Sequence, residues 1–435
     1  MPNISAGTRR DEAIRKLEPA RDERYKWLAP FGPVRHADEQ GRTWGTPGAS
    51  ADSFAVQEAA HLVCQGRDAG VQGHEIGIKD CSDMKENVKR VFYVRQVAHP
   101  CYLDIIAQRP EIRIDKLENE TPDEAAQPII TAAHAYQIGS ARDELRPRFH
   151  AQRNLLARMP NLLVVSTSGA GYDTVDVKDC TEAGVLVVNQ TGGNAEAVAA
   201  HVVAMMLTLS KQIIQTNHAL RRGTMHDRAA FIGNDVQGRT IGIVGLGNVG
   251  RRVAELCRGL FAMQVIACDP YLDAGTVAAR GAVKVTLDEV LQRADFVSIN
   301  CPLDEGTRGM IGAREFALMR PHAYFITTAR GFIHDERALA EALRSRQIAG
   351  AGIDVWDKEP PPPDHPLLQF ENAVASPHTA GVTREARANM GRIAAEQLIM
   401  TLDGKRPPRI VNPQVWPAYA KRFEQAFGFA PERAD

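Results

Sequence analysis

From residue 88 onward, short β-rich runs alternate with stretches rich in Ala, Leu and Glu, and this alternation constrains the fold more than any other feature. Continuous apolar runs are typical of strands buried on both faces of a parallel sheet. Strands separated by helical stretches predict βαβ units. A first group of strands is expected within VKRVFYV (88–94), PIITAAHAY (128–136), NLLVVSTSG (161–169) and VLVVNQ (185–190).

A second group of β-rich runs follows a single long helix that the sequence predicts from Asn194 to Arg222. Its members are RTIGIVG (239–245), MQVIACD (263–269), VKVT (283–286), FVSINCP (296–302), AYFITTA (323–329), GAGIDVW (350–356) and AVASP (373–377). One more helix is expected over Thr383 to Leu402, followed by a Pro-rich tail. We therefore predict an α/β fold with two doubly wound parallel sheets, of Rossmann or flavodoxin type, and a cleft between them.

Residues 1–87 show no comparable pattern and are expected to form an N-terminal extension of unclear fold, with one short helix over Glu58 to Cys64. A chain of 435 residues is long enough for two or three domains. We place the first domain at 88–194, completed by 381–435, and the second at 195–380.

Charge and composition exclude several classes of protein. The chain has 52 Lys and Arg against 53 Asp and Glu, so no overall field attracts nucleic acid or an anionic membrane. The longest apolar stretch, Ala197 to Leu209, contains His201 and is too short to span a bilayer. The N-terminus lacks the apolar region of a secretory signal, and the seven cysteines include no CxxC pair. These features predict a soluble cytoplasmic protein with no metal site, no nucleic acid partner and no membrane partner.

A GxGxxG segment directly follows the predicted strand IGIV and opens a helix. In a dinucleotide site, Gly245 would allow the tight turn, Gly247 the approach of a pyrophosphate, and Gly250 the close packing of helix on sheet. The amides of Asn248 and Val249 would then point at phosphate oxygens from the helix N-terminus. The order strand, glycines, helix makes this a candidate dinucleotide-binding site.

Asp269 ends the next predicted strand, nineteen residues after Gly250. A carboxylate there accepts hydrogen bonds from an adenosine ribose and repels a 2′-phosphate, which favours NAD over NADP. The alternative is an Asp that only begins a turn before Pro270.

Reactive side chains follow three later strands of the second group. Arg330 follows ITTA, Glu359 follows GIDVW, and His378 follows ASP. Each alone could be an ordinary surface cation, loop charge or strand-end histidine. Together, at the carboxyl ends of strands behind a dinucleotide fingerprint, they are candidate catalytic residues.

The segments VGLGNVG, CPLDEGTRGMI, ITTARGFIHDERALAEAL, GAGIDVWDKEP and ASPHTAGVT resemble, in order and spacing, the motifs of the D-isomer-specific 2-hydroxyacid dehydrogenase family. The resemblance covers roughly residues 88–415. It implies that Arg330 binds the substrate carboxylate and carbonyl oxygen through its planar guanidinium. It further implies that His378 is the general acid in ketoacid reduction and the general base in hydroxyacid oxidation. Glu359 would orient His378 and stabilise its protonated form.

The same resemblance implies a substrate-binding loop in STSGAGYD, where the backbone amides of Ala170 and Gly171 would bind the substrate carboxylate. Asp354 would orient the nicotinamide carboxamide, and Tyr172 is a candidate for substrate selectivity. The other residues expected to line NAD are Thr307, Thr328, Ala329, His378 and Gly381.

The leading hypothesis is an NAD-dependent enzyme that interconverts a small D-2-hydroxyacid and its 2-ketoacid. Oxidation of another small anion, formate or phosphite, is an alternative, although Glu359 stands where formate dehydrogenases of this family have Gln. A dinucleotide-sensing scaffold resembling corepressors of the same fold is a third hypothesis. The resemblance also implies that the region of the helix from Asn194 helps to form a dimer interface, so we expect a homodimer.

Overall fold

The computed structural model describes residues 88–433. The predicted N-terminal extension over 1–87, with its helix at Glu58 to Cys64, lies outside the described residues.

Two parallel sheets organise the described part of the chain. The first has the strand order β2-β1-β3-β4-β5. Its strands are β1 (Lys89–Val94), β2 (Ile112–Leu117), β3 (Ala135–Gly139), β4 (Val164–Ser168) and β5 (Leu186–Val188). The second has the order β12-β11-β10-β9-β6-β7-β8. Its strands are β6 (Thr240–Val244), β7 (Gln264–Cys268), β8 (Val283–Lys284), β9 (Phe296–Ile299), β10 (Tyr324–Thr327), β11 (Gly350–Ile353) and β12 (Ala373–Ala375). The prediction of two parallel α/β sheets is confirmed.

Helices connect the strands within residues 88–433. The α-helices are α1 (Cys101–Ile106), α2 (Asp123–Ala132), α3 (Arg153–Leu156), α4 (Val177–Glu182), α5 (Ala195–Ser210), α6 (Ile213–Arg222), α7 (Asn248–Phe261), α8 (Ala274–Ala279), α9 (Leu287–Arg293), α10 (Ala313–Leu318), α11 (Glu336–Arg344), α12 (Arg384–Leu402) and α13 (Trp416–Phe427). Short 3₁₀ turns occupy Pro147–Phe149, Arg228–Phe231, Pro366–Gln369 and Pro413–Val415.

Each sheet is covered by helices on both faces, which explains its continuous apolar strands. One face of the second sheet packs against α5 and α7, and the other against α9, α10 and α11. One face of the first sheet packs against α2, α3 and α4, and the other against α1, α12 and α13. The chain therefore returns to the first sheet after the second is complete. The domain boundaries at 194 and 380 stay predictions.

Among residues 88–433, no single helix has both the length and the apolar composition needed to cross a bilayer. Helices α5 and α6 pass that test only as a pair, and they are bent by 57° relative to each other.

The helix predicted from Asn194 to Arg222 is in fact two helices, because the chain breaks at Gln212, which has a left-handed φ of 50°. A later segment crosses the helix end at this point. The amide of Asn234 donates to the Ser210 carbonyl oxygen at 2.7 Å, and the Gln212 side chain donates to the Ile232 carbonyl oxygen at 2.8 Å. These bonds take the place of a continued helical ladder.

Three further elements of the first domain differ from the prediction. Residues 128–132, predicted as part of a strand, form the end of α2, whose Ala126 and Ile130 pack on the sheet. Strand β2 was not predicted, and α13 stands where only a Pro-rich tail was expected. In α2 the tertiary packing overrides the β-propensity of its isoleucines.

Candidate active site

The candidate site lies at the carboxyl edge of the second sheet, where β6 and β9 are neighbours and the strand order reverses. Ligands of open α/β sheets bind at such a switch point. The glycine-rich loop leaves β6 here, Asn300 follows β9, and Thr328 follows β10. The sequence-predicted dinucleotide residues thus come together at one edge.

The three glycines of the loop have distinct roles in the structure. Gly245 has a φ of 86°, and a Cβ there would lie 2.8 Å from the Cys301 amide nitrogen. A Cβ at Gly250 would collide with the Gly245 carbonyl oxygen, so α7 could not pack as closely. At Gly247 a Cβ would meet no atom within 4 Å, which leaves open space in front of the N-terminus of α7. A pyrophosphate fits this arrangement.

Buried polar atoms at the same edge also fit a bound dinucleotide. The Thr328 hydroxyl and the Asn300 carbonyl oxygen Oδ1 are buried without a hydrogen-bond partner among residues 88–433. Buried polar groups rarely stay unpaired, so a ligand that supplies their partners is expected here. Asn300 was not a candidate from the sequence, where it is one polar residue at a strand end.

Asp269 begins a turn, as one interpretation expected, and its binding of a ribose stays a prediction. One carboxylate oxygen accepts the Leu246 amide of the glycine-rich loop at 2.9 Å, and the other accepts the Tyr271 amide at 3.0 Å in a turn. Each oxygen retains a further lone pair for a ribose hydroxyl. Asp269 thus holds the glycine-rich loop in place through the Leu246 amide.

Thr307 and Ala329 lie in loops at the same edge. The Thr307 hydroxyl donates to the Pro302 carbonyl oxygen at 2.7 Å and accepts the Asp304 amide at 2.8 Å, so it holds its own turn together. The Ala329 carbonyl oxygen accepts Nη1 of Arg330 at 2.6 Å.

His378 and Glu359 form a directly hydrogen-bonded pair. Nδ1 of His378 lies 2.8 Å from Oε2 of Glu359, whose other oxygen accepts the Trp356 amide at 3.1 Å. Burial tends to raise the pKa of Glu359, but the hydrogen bond and charge of His378, the Trp356 amide and the charge of Arg330 outweigh it and lower that pKa. Glu359 is therefore a carboxylate at neutral pH that faces an imidazole.

Asp354 holds the loop that carries His378. Its carboxylate is fully buried and accepts the amides of Thr379 at 2.8 Å and Ala380 at 3.0 Å, and the Ser376 hydroxyl at 2.6 Å. Its carbonyl oxygen accepts the His378 amide at 2.7 Å. The sequence-based role of Asp354 in orienting a carboxamide stays a prediction, and the contacts add a role in positioning His378.

Arg330 reaches the substrate-binding loop predicted in the first sheet. A Cβ at Gly171 would collide with Nη2 of Arg330, so the guanidinium lies directly against that residue. Within residues 88–433 the amides of Ala170 and Gly171 have no hydrogen-bond partner. The structure thus brings Ala170, Gly171 and Arg330 together from two different sheets.

Gly381 lies against the start of α5. A Cβ there would be 2.5 Å from Nδ2 of Asn194, whose side chain makes no capping hydrogen bond to the helix. Close approach of these two segments therefore requires glycine.

Sequence reasoning missed three supporting residues, since their partners are distant in the chain. Asp173 contacts Arg330, and Trp356 donates its indole N–H to the Ser376 carbonyl oxygen at 3.0 Å. His201 lies with Nε2 3.0 Å from the Ser376 hydroxyl. The sequence feature that could have identified them is their position within or near the motifs that contain the other candidate residues.

The fold and the glycine-rich loop define a dinucleotide-binding α/β protein built on two parallel sheets. The model of the D-isomer specific 2-hydroxyacid dehydrogenase NAD binding domain matches residues 203–380. Glyoxylate reductase of Aeropyrum pernix is 37% identical over 333 residues, which cover 75% of this chain and 96% of that protein. The chain belongs to the D-isomer-specific 2-hydroxyacid dehydrogenase family, as the motifs predicted, and carries its NAD-binding domain.

Two further relatives show the extent of the similarity. D-3-phosphoglycerate dehydrogenase of Archaeoglobus fulgidus is 35% identical over 275 residues, or 63% of this chain, and the chain spans only 52% of that protein. The crystal structure of a glyoxylate reductase from Paecilomyes thermophila superimposes with a TM-score of 0.68 and 26% identity, covering 75% of this chain and 99% of that one.

Proposed function

We propose that this protein interconverts a small D-2-hydroxyacid and its 2-ketoacid, with NAD as the hydride carrier. The observation that carries the proposal is the His378–Glu359 hydrogen bond of 2.8 Å, at the same sheet edge as Arg330 and the glycine-rich loop. An acid–base pair, a carboxylate-binding cation and a dinucleotide site are the parts that hydride transfer to a ketoacid needs.

Arg330 and the amides of Ala170 and Gly171 would bind the substrate carboxylate. The guanidinium supplies charge and a fixed donor geometry, and the two amides supply uncharged donors whose direction the loop sets. Binding at these points fixes the substrate carbon that exchanges the hydride.

His378 would move the proton that accompanies the hydride. In the reduction, protonated His378 donates from Nε2 to the carbonyl oxygen; in the oxidation, neutral His378 accepts the hydroxyl proton there. Its Nδ1–H donates to Glu359 throughout, and the carboxylate stabilises the imidazolium. The glycine-rich loop would hold NAD, which would supply the hydride acceptor for the oxidation and, as NADH, the hydride donor for the reduction.

The position of Asp269 supports NAD rather than NADP as the cofactor. Its carboxylate is fixed at the end of β7 beside the glycine-rich loop, where it would repel a 2′-phosphate. A homodimeric assembly and a cytoplasmic location stay predictions.

The first experiment is NADH oxidation by the full chain with glyoxylate, hydroxypyruvate, pyruvate, phenylpyruvate and 2-oxoglutarate. Because the loss of a general acid costs about 10²–10⁴ in rate, we expect His378→Ala to lower kcat for the best ketoacid at least a hundredfold while NADH still binds. NADH binding without turnover of any ketoacid would contradict the proposal. Formate, phosphite and a dinucleotide-sensing role would then be tested.

A further inference from the structure

Asp173 pairs with Arg330 across the two sheets. It lies in the loop after β4, and its Oδ2 is 3.1 Å from Nε of Arg330, which follows β10. The side chains are 35% and 26% exposed, so the pair is partly shielded from solvent. A carboxylate thus contacts the cation assigned above to an anionic substrate, and the mechanism so far gives it no role.

The hydrogen bonds of Arg330 can be counted atom by atom. Nε donates to Asp173, and Nη1 donates to the carbonyl oxygen of Ala329 at 2.6 Å. Within residues 88–433, Nη2 has no hydrogen-bond partner, and it lies against Gly171. The donors left over are therefore both N–H groups of Nη2, one N–H of Nη1 and the neighbouring amides of Ala170 and Gly171.

The loop that carries Asp173 is itself fixed by hydrogen bonds to neighbouring segments of the first sheet. Asn189 donates its side-chain amide to the Ala170 carbonyl oxygen at 2.9 Å, and Gln190 accepts the Gly169 amide at 2.5 Å. Nε of Arg142 donates to the Asp173 carbonyl oxygen at 2.7 Å. Asp173 is therefore held by the first sheet and can impose its position on a long side chain from the second.

We propose that Asp173 is a positioning residue for substrate binding, an inference that rests on the function proposed above. Its carboxylate holds the Nε side of the guanidinium, so that Nη2 stays beside the Ala170 and Gly171 amides and the three form one binding site for the substrate carboxylate. An arginine without this anchor would sample several rotamers and lose that alignment. A partly exposed ion pair adds little to stability, so its removal should affect substrate more than folding.

The test compares Asp173→Ala and Asp173→Asn with the wild-type full chain. We expect Asp173→Ala to lower kcat/KM for the best ketoacid at least tenfold, and to weaken oxamate binding to the enzyme–NADH complex by a similar factor. Oxamate is an unreactive analogue with the same carboxylate and carbonyl groups. The dissociation constant of NADH should change less than twofold. Asp173→Asn retains an oxygen acceptor for Nε, so it should lie between Asp173→Ala and wild type.

A matched control removes the charge of another carboxylate that pairs with an arginine. Asp288 contacts Arg314 at 2.5 Å, far along the chain from both loops, and Asp288→Asn should leave the kinetics of ketoacid and of NADH unchanged. If Asp173→Ala does not fold, Asp173→Asn carries the same comparison.

Three results would overturn the inference. The first is a kcat/KM of Asp173→Ala for ketoacid equal to that of wild type. The second is a kcat/KM above that of wild type, because a charge that repels the substrate has been removed. The third is a loss of NADH affinity as large as the loss of oxamate affinity. Each of these outcomes leaves the proposed function intact if the wild type turns over a ketoacid. A wild type that neither reduces a ketoacid nor binds oxamate would overturn both proposals.

Discussion

His378 has a φ of 55°, a left-handed backbone conformation that residues other than glycine rarely adopt. Asp354 maintains it, since its carboxylate accepts the amides of the two following residues, Thr379 and Ala380, while its carbonyl oxygen accepts the His378 amide. Backbone strain at a functional position persists only where surrounding bonds fix it. The imidazole is therefore directed toward Glu359 by the buried carboxylate behind it.

At the residue scale, we expect Glu359→Gln to change how ketoacid reduction depends on pH. Reduction requires protonated His378, and the Glu359 carboxylate, which has a lowered pKa, stabilises that form. Without its charge, the rate should fall off at a lower pH, with kcat reduced roughly tenfold to a hundredfold at pH 7.5. Rates of NADH oxidation from pH 5 to 9 measure this.

Glu336 provides the control for Glu359→Gln. It forms a second glutamate–histidine pair, with Oε2 3.1 Å from Nε2 of His365, and both side chains are 15% exposed. Glu336→Gln should leave the pH of half-maximal rate in place. An identical pH profile for Glu359→Gln and wild type would count against the acid–base assignment.

At the scale of elements, the strands of the second sheet could all be predicted because most are apolar on both faces. Strand β2 could not, since it lies at a sheet edge and three of its six residues, IRIDKL, are charged. For the site, Arg330, Glu359 and His378 were predictable from their positions after strands. The contacts of Asp173 and His201 were not, because their partners lie 157 and 175 residues away.

The segment between β10 and α11 buries a histidine that the proposed chemistry does not use. His334 is 1% exposed, and neither ring nitrogen has a hydrogen-bond partner among residues 88–433. Burial lowers its pKa to about 4, against the opposing charges of Glu336 and Asp335. Since the unfolded chain takes up this proton near pH 6.5, the folded state should lose stability as the pH falls from about 6.5 to about 4.

We therefore expect His334→Leu to raise the free energy of unfolding. At pH 7.5 the gain should be about 1–2 kcal/mol, because a buried group without hydrogen bonds is removed. At pH 5 it should be about 2 kcal/mol larger, because the unfolded state of the variant no longer gains a proton there. Urea unfolding at both pH values measures the difference. His226→Leu, at an exposed position, should show no such dependence on pH, and an equal gain at both pH values for His334→Leu would contradict the linkage argument.

At the scale of the whole molecule, the large exposed apolar side chains within residues 194–232 are found in and after α6 rather than on α5. Ile213, Leu220 and Ile232 are 50%, 72% and 74% exposed, whereas the large apolar side chains of α5 are buried or partly buried within the chain. If the predicted homodimer forms, we expect the surface around Ile213, Leu220 and Ile232 to lie in its interface, because burying exposed apolar side chains favours association.

We expect the full chain to be a dimer by light scattering at micromolar concentration, and Leu220→Glu to shift it toward monomer because a charge would be buried in the interface. Leu260→Glu places the same change on α7, at a residue that is 63% exposed, and should leave the mass unchanged. A monomeric wild type, or equal masses for wild type and Leu220→Glu, would rule out this interface.

The chain passes between the two sheets twice, once from β5 to α5 and again from β12 to α12. Two connecting segments that run side by side form a single hinge between the parts of the chain they join. Both connecting segments lie at the candidate site, where Gly381 in one segment contacts Asn194 in the other. A change in the separation of the two sheets would displace residues near this hinge least, so we expect His378, only three residues from Gly381, to move less than the substrate-binding loop.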